Sequence, residues 1–309
     1  MKATPPFHSP PPEAPTVADL VRYGAQEFDQ AGLDYGHGMD NPLDESAALV
    51  FHALALDHAH AAEAYGQRVQ PGDAERVLEL FRERIVRRVP AAYLMGRMWF
   101  AGLEFEVDPG VIVPRSPFAE LIAARFEPWI DPAAVHGILD IGTGSGCIAI
   151  ACAKAFPGAT VDAVDVSPAA LAVARRNVER HGVGDRLNLL EGDVFTPVGG
   201  RRYDLIVSNP PYVSDAEMAA LPAEYRHEPD LALRAGSDGL EIVRRILAGA
   251  AQHLAPGGAL FVEVGDSDER LSQAFPRLPF TWLEFEHGGG GVFMLRRNEL
   301  QAPPTRGVA

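Results

Sequence analysis

Cysteine, lysine and long apolar runs are what this sequence has least of. Only Cys147 and Cys152 occur among 309 residues. That count excludes a disulfide framework and leads us to expect a reducing, cytoplasmic setting, with both thiols inert on one buried helix. No stretch approaches the roughly 18 uncharged apolar residues a membrane-spanning helix needs. Prolines stand at the N-terminus where a secretory signal would carry an apolar run, so no membrane partner is expected. Lys2 and Lys154 are the only lysines, and 42 acidic residues outweigh 27 basic ones for a net charge of -15. Binding to nucleic acid rests on many cationic contacts with phosphates, so a general nucleic-acid binder is disfavoured. The cluster Arg76, Arg82, Arg84, Arg87, Arg88 and Arg97 reads first as an exposed helix face.

A hydrophobic share of 47% supplies an ordinary core, and the length suits one catalytic domain with an accessory one. Residues 1–15 carry six prolines and are expected to be disordered. Thr16 and Asp19 then make a capping-box start, with Val17, Leu20, Val21 and Phe28 at helical spacing. Further helices are expected over Leu43–Leu56 and Ala74–Arg88, the latter stopped by Pro90, which makes 16–96 a small helical domain. Turn signals at Ala101-Gly102 and Asp108-Pro109-Gly110 divide short apolar runs, so 97–113 is expected to be a β-hairpin linker. In 114–297, Ile138–Ile141, Thr160–Asp165, Leu187–Glu191, Leu205–Ser208, Ala259–Val264 and Gly291–Leu295 read as strands, with helical stretches between most of them. That alternation predicts a doubly wound, mainly parallel α/β sheet. Residues 298–309 read as a loose tail.

The first of those strands runs into Gly142-Thr143-Gly144-Ser145-Gly146. Alternating glycines let the chain turn sharply and let a ligand approach the backbone beyond a strand's carboxyl end. The spacing is G-x-G-x-G rather than G-x-G-x-x-G, which weakens a dinucleotide reading. The next strand ends in Asp165, suited to two ribose hydroxyls, and the third is followed by Gly192-Asp193-Val194, where a carboxylate and a backbone N–H suit an adenine edge. No lysine or arginine accompanies the glycines to neutralise a pyrophosphate, so the expected cofactor carries adenosine without phosphates. Asp140 either contacts that cofactor or braces the glycine loop.

The fourth strand ends in Asn209-Pro210-Pro211-Tyr212. Prolines fix the backbone and lack N–H groups, leaving rigidly aimed carbonyls. The Asn209 side-chain oxygen and the Pro210 carbonyl can grip both N–H bonds of a carboxamide or exocyclic amine, whose delocalised lone pair needs positioning to react. Tyr212 offers an aromatic face to the planar group. Pro-Pro alone would read as a plain turn. His58 and His60 lack a third ligand, so no metal is expected, and Glu263, ending a strand, faces the cleft or is structural.

These residues resemble the glutamine N-methyltransferases of the translation apparatus, with the match running from Arg87 to Leu295. The branch acting on the third large-subunit ribosomal protein is the more similar. Its P-R-S-P pattern followed by E-L-I stands here as Pro114-Arg115-Ser116-Pro117-Phe118-Ala119-Glu120-Leu121-Ile122, where the release-factor branch has P-R-P-D-T-E. Pro90–Leu94, Tyr225–Pro229 and Thr281–Phe285 resemble the same branch. The resemblance implies a class-one, Rossmann-like methyltransferase domain with a seven-stranded sheet behind a helical substrate-recognition domain, and S-adenosyl-L-methionine as cofactor. It places Gly142, Gly144, Gly146, Asp165, Val194 and Asn209 at the cofactor and Asn209–Tyr212 at a glutamine. Asp140, Thr143, Ser145 and Asp193 join the cofactor set from the reading of the strand ends.

The implied substrate is that ribosomal protein, free or in pre-ribosomal particles, with the arginines of 76–88 available for ribosomal RNA. A release-factor glutamine is the alternative. A DNA adenine methyltransferase would share the Asn-Pro-Pro-Tyr motif but must flip its base, and acidity counts against it. A non-catalytic ribosome-binding protein is disfavoured by the intact motifs.

Overall fold

The computed structural model describes residues 7–286 and 288–300. The described residues fold as two units, one made of those up to 98 with 222–227 and the other of those in 99–221 with those from 228 on. The first is helical: α1 Val17–Gln30, α2 Pro42–Ala53, α3 Ala61–Ala64, α4 Pro71–Arg87 and α5 Ala91–Met95. The Thr16/Asp19 box is formed, with the Asp19 N–H donating to Thr16 Oγ1 at 3.2 Å and the Thr16 N–H to Asp19 Oδ2 at 2.9 Å. Leu20, Phe28, Leu49, Phe51, Val77 and Phe81 fill the space between α1, α2 and α4. Gly24 lets these helices approach closely, because a Cβ there would stand 2.2 Å from Ser46 Oγ and 2.4 Å from Phe81 Cζ.

Two expectations about this unit need correction. Residues 7–15 lack helix and strand, yet they are pinned rather than disordered. The buried Glu27 carboxylate accepts the Ser9 N–H at 2.9 Å and hydroxyl at 2.5 Å, and the Tyr23 hydroxyl donates to the Ser9 carbonyl at 2.9 Å. Residues 1–6, in the same expected segment, and 301–309 of the expected tail lie outside the described residues. The arginines of α4 do not form a free basic face either. Arg84 is fully buried, bound to Glu45 at 2.6 Å, to Glu224 at 3.2 Å and to the Asp34 carbonyl at 2.7 Å. Arg88 reaches Glu224 and the carbonyls of Ala31 and Gly32. Arg76, Arg82 and Arg87 pair with Asp73, Glu79 and Glu83 a turn away. An acid one turn away neutralises each exposed member, and burial removes Arg84.

β1 Arg97–Phe100 and β2 Leu103–Glu106 form the hairpin. The second unit continues through α6 Phe118–Ala123, β3 Gly137–Ile141, α7 Cys147–Ala155, β4 Thr160–Asp165, α8 Pro168–His181, β5 Leu187–Glu191, β6 Tyr203–Ser208, α9 Asp215–Ala220, α10 Asp230–Leu233, α11 Glu241–His253, β7 Leu254–Glu263, α12 Asp268–Ala274, β8 Thr281–Trp282, β9 Val292–Arg296 and the short α13 Arg297–Leu300. The first residues of the expected tail are therefore helical. One seven-stranded sheet has the order β5-β4-β3-β6-β7-β9-β8. β5, β4, β3, β6 and β7 run parallel, and β9 is antiparallel to both neighbours. Strand residues alternate between two cores, Ile138, Val161, Leu205 and Phe261 on one face and Leu139, Val164, Ile206 and Leu260 on the other. Both faces are covered, as the apolar strands of a parallel sheet require. Chain order reverses between β3 and β6, so the crevice beyond their carboxyl ends is where a ligand belongs.

Candidate active site

A cavity of about 500 Å³ opens at that reversal. Gly142, Gly144, Asp165, Asp193, Val194, Asn209, Pro210 and Pro211 line it, so the glycine loop, the two acid-bearing strand ends and the start of the Asn-Pro-Pro-Tyr segment meet at one place. Gly142, Gly144 and Gly146 all take positive φ, at 73°, 55° and 81°. A side chain at Gly142 would point at the Asn209 carbonyl 3.8 Å away. Ser208 Oγ donates to the Ile141 carbonyl at 2.7 Å, tying the ends of β3 and β6 together just before the loop and Asn209. Asp165 Oδ2 accepts the Gly144 N–H at 2.8 Å and Oδ1 the Ser167 N–H at 2.9 Å. Each oxygen keeps a further lone pair for a ligand hydroxyl, and burial raises this carboxyl's pKa.

Five expected residues do not line the cavity. Asp140 is fully buried beneath the loop, its Oδ2 accepting the Thr143 hydroxyl at 2.7 Å and the Ala149 N–H at 3.2 Å. Asp140 thus ties the loop to α7 through Thr143 and Ala149. Oδ1 has no hydrogen-bond partner among the described residues, and burial pushes the carboxyl up to about 7. The Ser145 carbonyl accepts from Asn177 Nδ2 at 2.9 Å, and the same side chain holds Glu106 of β2. Gly146 caps α7 and packs on Ala174 of α8, where a Cβ would come within 3.3 Å. Tyr212 packs its ring against Gly265 and sets its hydroxyl 3.4 Å from Glu263 Oε1. Cys147 and Cys152 are buried on α7, and burial pushes the Cys147 thiol up to about 12. His58 stacks on Phe51 and His60 Nδ1 lies 3.1 Å from Asp57.

Sequence reasoning missed much of the opposite wall: Val111, Ile112, Leu231, Ala232, Ile242 and Arg245. Arg245 pairs with Asp193, and Arg234, also on the wall, pairs with Asp215 at 2.6 Å. Both cavity arginines are thus neutralised by acids, which fits an adenosyl group without phosphates better than a dinucleotide. Val194 takes φ 51° although β-branched and buried. Backbone strain of that kind costs of order 1–3 kcal/mol and gathers where ligands bind. The missed residues come from one loop and from α10 and α11, far apart in sequence, and no local pattern marks them.

A fold of this strand order, with glycine loop, ribose-suited carboxylate and transfer segment around one crevice, defines a class-one S-adenosylmethionine-dependent methyltransferase. The family model of the methyltransferase small domain matches residues 124–224. The chain is 50% identical to the ribosomal protein uL3 glutamine methyltransferase of Xanthomonas campestris, over 95% of each chain. It is 47% identical to that of Bordetella pertussis, over 93% of this chain and 97% of the other. The chain belongs to this family of uL3 glutamine methyltransferases. Among solved structures, the hMettl16 catalytic domain in complex with MAT2A 3'UTR hairpin 6 superposes with a TM-score of 0.51 at 18% identity, covering 78% of this chain and 91% of that one, a likeness of fold alone.

Proposed function

We propose that this protein methylates the side-chain nitrogen of one glutamine in ribosomal protein uL3, in the cytoplasm, and acts best on uL3 before assembly buries that residue. The observation that carries the chemistry is the position of Asn209 and Pro210 at the end of β6 on the wall of the cofactor cavity. Neither the Asn209 side chain nor the Pro210 carbonyl is hydrogen-bonded to another described residue. Bound S-adenosylmethionine supplies an electrophilic methyl group. Asn209 Oδ1 and the Pro210 carbonyl accept the two N–H bonds of the amide and aim its nitrogen along the line of attack. Holding reactants in such a geometry accounts for several kcal/mol of a barrier. Gly142, Gly144 and Asp165 hold the adenosyl end, with Asp193 fixed by Arg245 beside it.

The choice of uL3 rests on the relatives and on charge. At -15 the chain complements a basic, RNA-binding substrate, whereas the neutralised arginines of α4 offer little to ribosomal RNA, so free uL3 is favoured over a pre-ribosomal particle. The test is transfer of labelled methyl from S-adenosylmethionine to purified uL3, its glutamine-to-leucine variants and peptide release factors. Label on uL3 that one such variant abolishes is the expected result. Label on a release factor alone overturns the assignment.

A further inference from the structure

We infer that Glu263 is a positioning residue for the transfer site, a buried bridge between Ser116 and Tyr212 that fixes the tyrosine of the Asn-Pro-Pro-Tyr segment. Glu263 ends β7, and its neighbour Val262 pairs with Ser208 of β6, so Glu263 stands level in the sheet with Asn209. It is almost fully buried. Its Oε2 accepts the Ser116 hydroxyl at 2.5 Å and its Oε1 lies 3.4 Å from the Tyr212 hydroxyl. Ser116 comes from the loop before α6, whose preceding residue Arg115 is held by both oxygens of Glu228. The ends of β6 and β7 and the loop before α6 therefore converge on this carboxyl.

The surroundings show that the ring is meant to stay put. Gly265, at φ 50°, leaves room for it, since a Cβ there would stand 2.7 Å from Tyr212 Cε2. Gly239, at φ 75°, accommodates the Tyr212 carbonyl, which a Cβ would approach to 2.4 Å. Burial pushes the Glu263 carboxyl up to about 7, against the opposing effect of the Ser116 and Tyr212 hydrogen bonds and the Arg115 charge. A buried acid costs stability unless it is hydrogen-bonded, so an apolar residue would serve better at this sheet position if filling space were its only task. What the carboxyl adds is two hydrogen-bond sites at a fixed separation; Gln keeps one acceptor for the Tyr212 hydroxyl, and its NH2 donates to the Ser116 oxygen in place of the second.

The inference rests on the methyl-transfer reading, and wild-type transfer to uL3 tests that reading separately. Single-turnover rates and S-adenosylmethionine affinities are measured for wild type, Glu263→Gln, Glu263→Leu, Tyr212→Phe and the Glu263→Leu/Tyr212→Phe double variant. NMR of tyrosine-labelled protein without cofactor reports the Tyr212 hydroxyl proton, assigned by its loss in Tyr212→Phe. Glu263→Leu and Tyr212→Phe should each slow transfer by about tenfold with cofactor affinity unchanged. The double variant should be no slower than either single change, because one bridge is removed only once. Glu263→Gln should restore both the rate and the protected hydroxyl signal. Should Glu263→Leu fail to fold, Ser116→Ala replaces it, with the same non-additivity expected. A wild-type rate in Glu263→Leu or Ser116→Ala, losses that multiply in the double variant, or a Glu263→Gln as slow as Glu263→Leu would each overturn the assignment.

Discussion

Replacing Asp140 by Asn isolates the energetic cost of the buried acid beneath the glycine loop. Burial raises this carboxyl from 3.8 to about 7. At 1.36 kcal/mol per pKa unit, the folded state disfavours the ionised form by about 4 kcal/mol, as an order of magnitude. The folded pKa lies above the unfolded one, so the contribution to stability is full below about pH 4, falls as pH rises through about 7, and is gone above it. Asn fits the same site. Its carbonyl oxygen can take the place of Oδ2, accepting from Thr143 and Ala149, and its NH2 falls where Oδ1 has no partner among the described residues. That unpaired NH2 costs about 1–3 kcal/mol, a cost it shares with the protonated acid. The Asp140→Asn protein should therefore lead by about 1–2 kcal/mol already at about pH 5, and by about 4 kcal/mol at about pH 8.5. Denaturant titration of the cofactor-free protein at both pH values reads the difference. Glu263, raised in the same direction, is present in both proteins and cancels. Parallel pH profiles for the two proteins would refute the argument, showing that Asp140 has no raised pKa to relieve.

Two further changes probe the cofactor wall and the helical unit. Asp165→Ala should weaken S-adenosylmethionine binding by about 1–3 kcal/mol, as expected when buried partners lose their acceptor; calorimetry finding equal affinity would remove Asp165 from the site. Arg84→Ala leaves the buried Glu45 without its cation, while Glu224 keeps Arg88, and should destabilise the helical unit by about 3–5 kcal/mol, seen as an earlier denaturation transition, whereas an unchanged transition would show that the network contributes nothing.

Legibility in the sequence followed the physics of each element. Strands such as Leu187–Glu191 and Thr160–Asp165 are short stretches rich in aliphatic and β-branched residues bounded by turn residues, and their ends coincide with the observed ones. The residues at those ends that line the cavity, Gly142, Asp165 and Asn209, were readable because a parallel sheet places all its carboxyl ends on one side. Thr281–Trp282 is two residues long and carries no period, so that strand was readable only as part of a resemblance. The wall built by Val111, Leu231 and Arg245 depends on tertiary packing of distant segments. Arg84 misled for the same reason: its partners Glu45 and Glu224 lie 39 and 140 residues away, so a helix-surface reading was the natural one. The Ser116–Glu263 contact spans 147 residues, which is why Glu263 stayed undecided.

Mass spectrometry of uL3 decides whether this chain methylates it in cells. The protein would be isolated from cells lacking this gene and from the same cells supplied with either the wild-type chain or Asn209→Ala. One additional methyl group on a single uL3 glutamine is expected with the wild-type chain, and little or none without the gene or with Asn209→Ala. Fully methylated uL3 in cells without the gene, or normal methylation by Asn209→Ala, would contradict this reading.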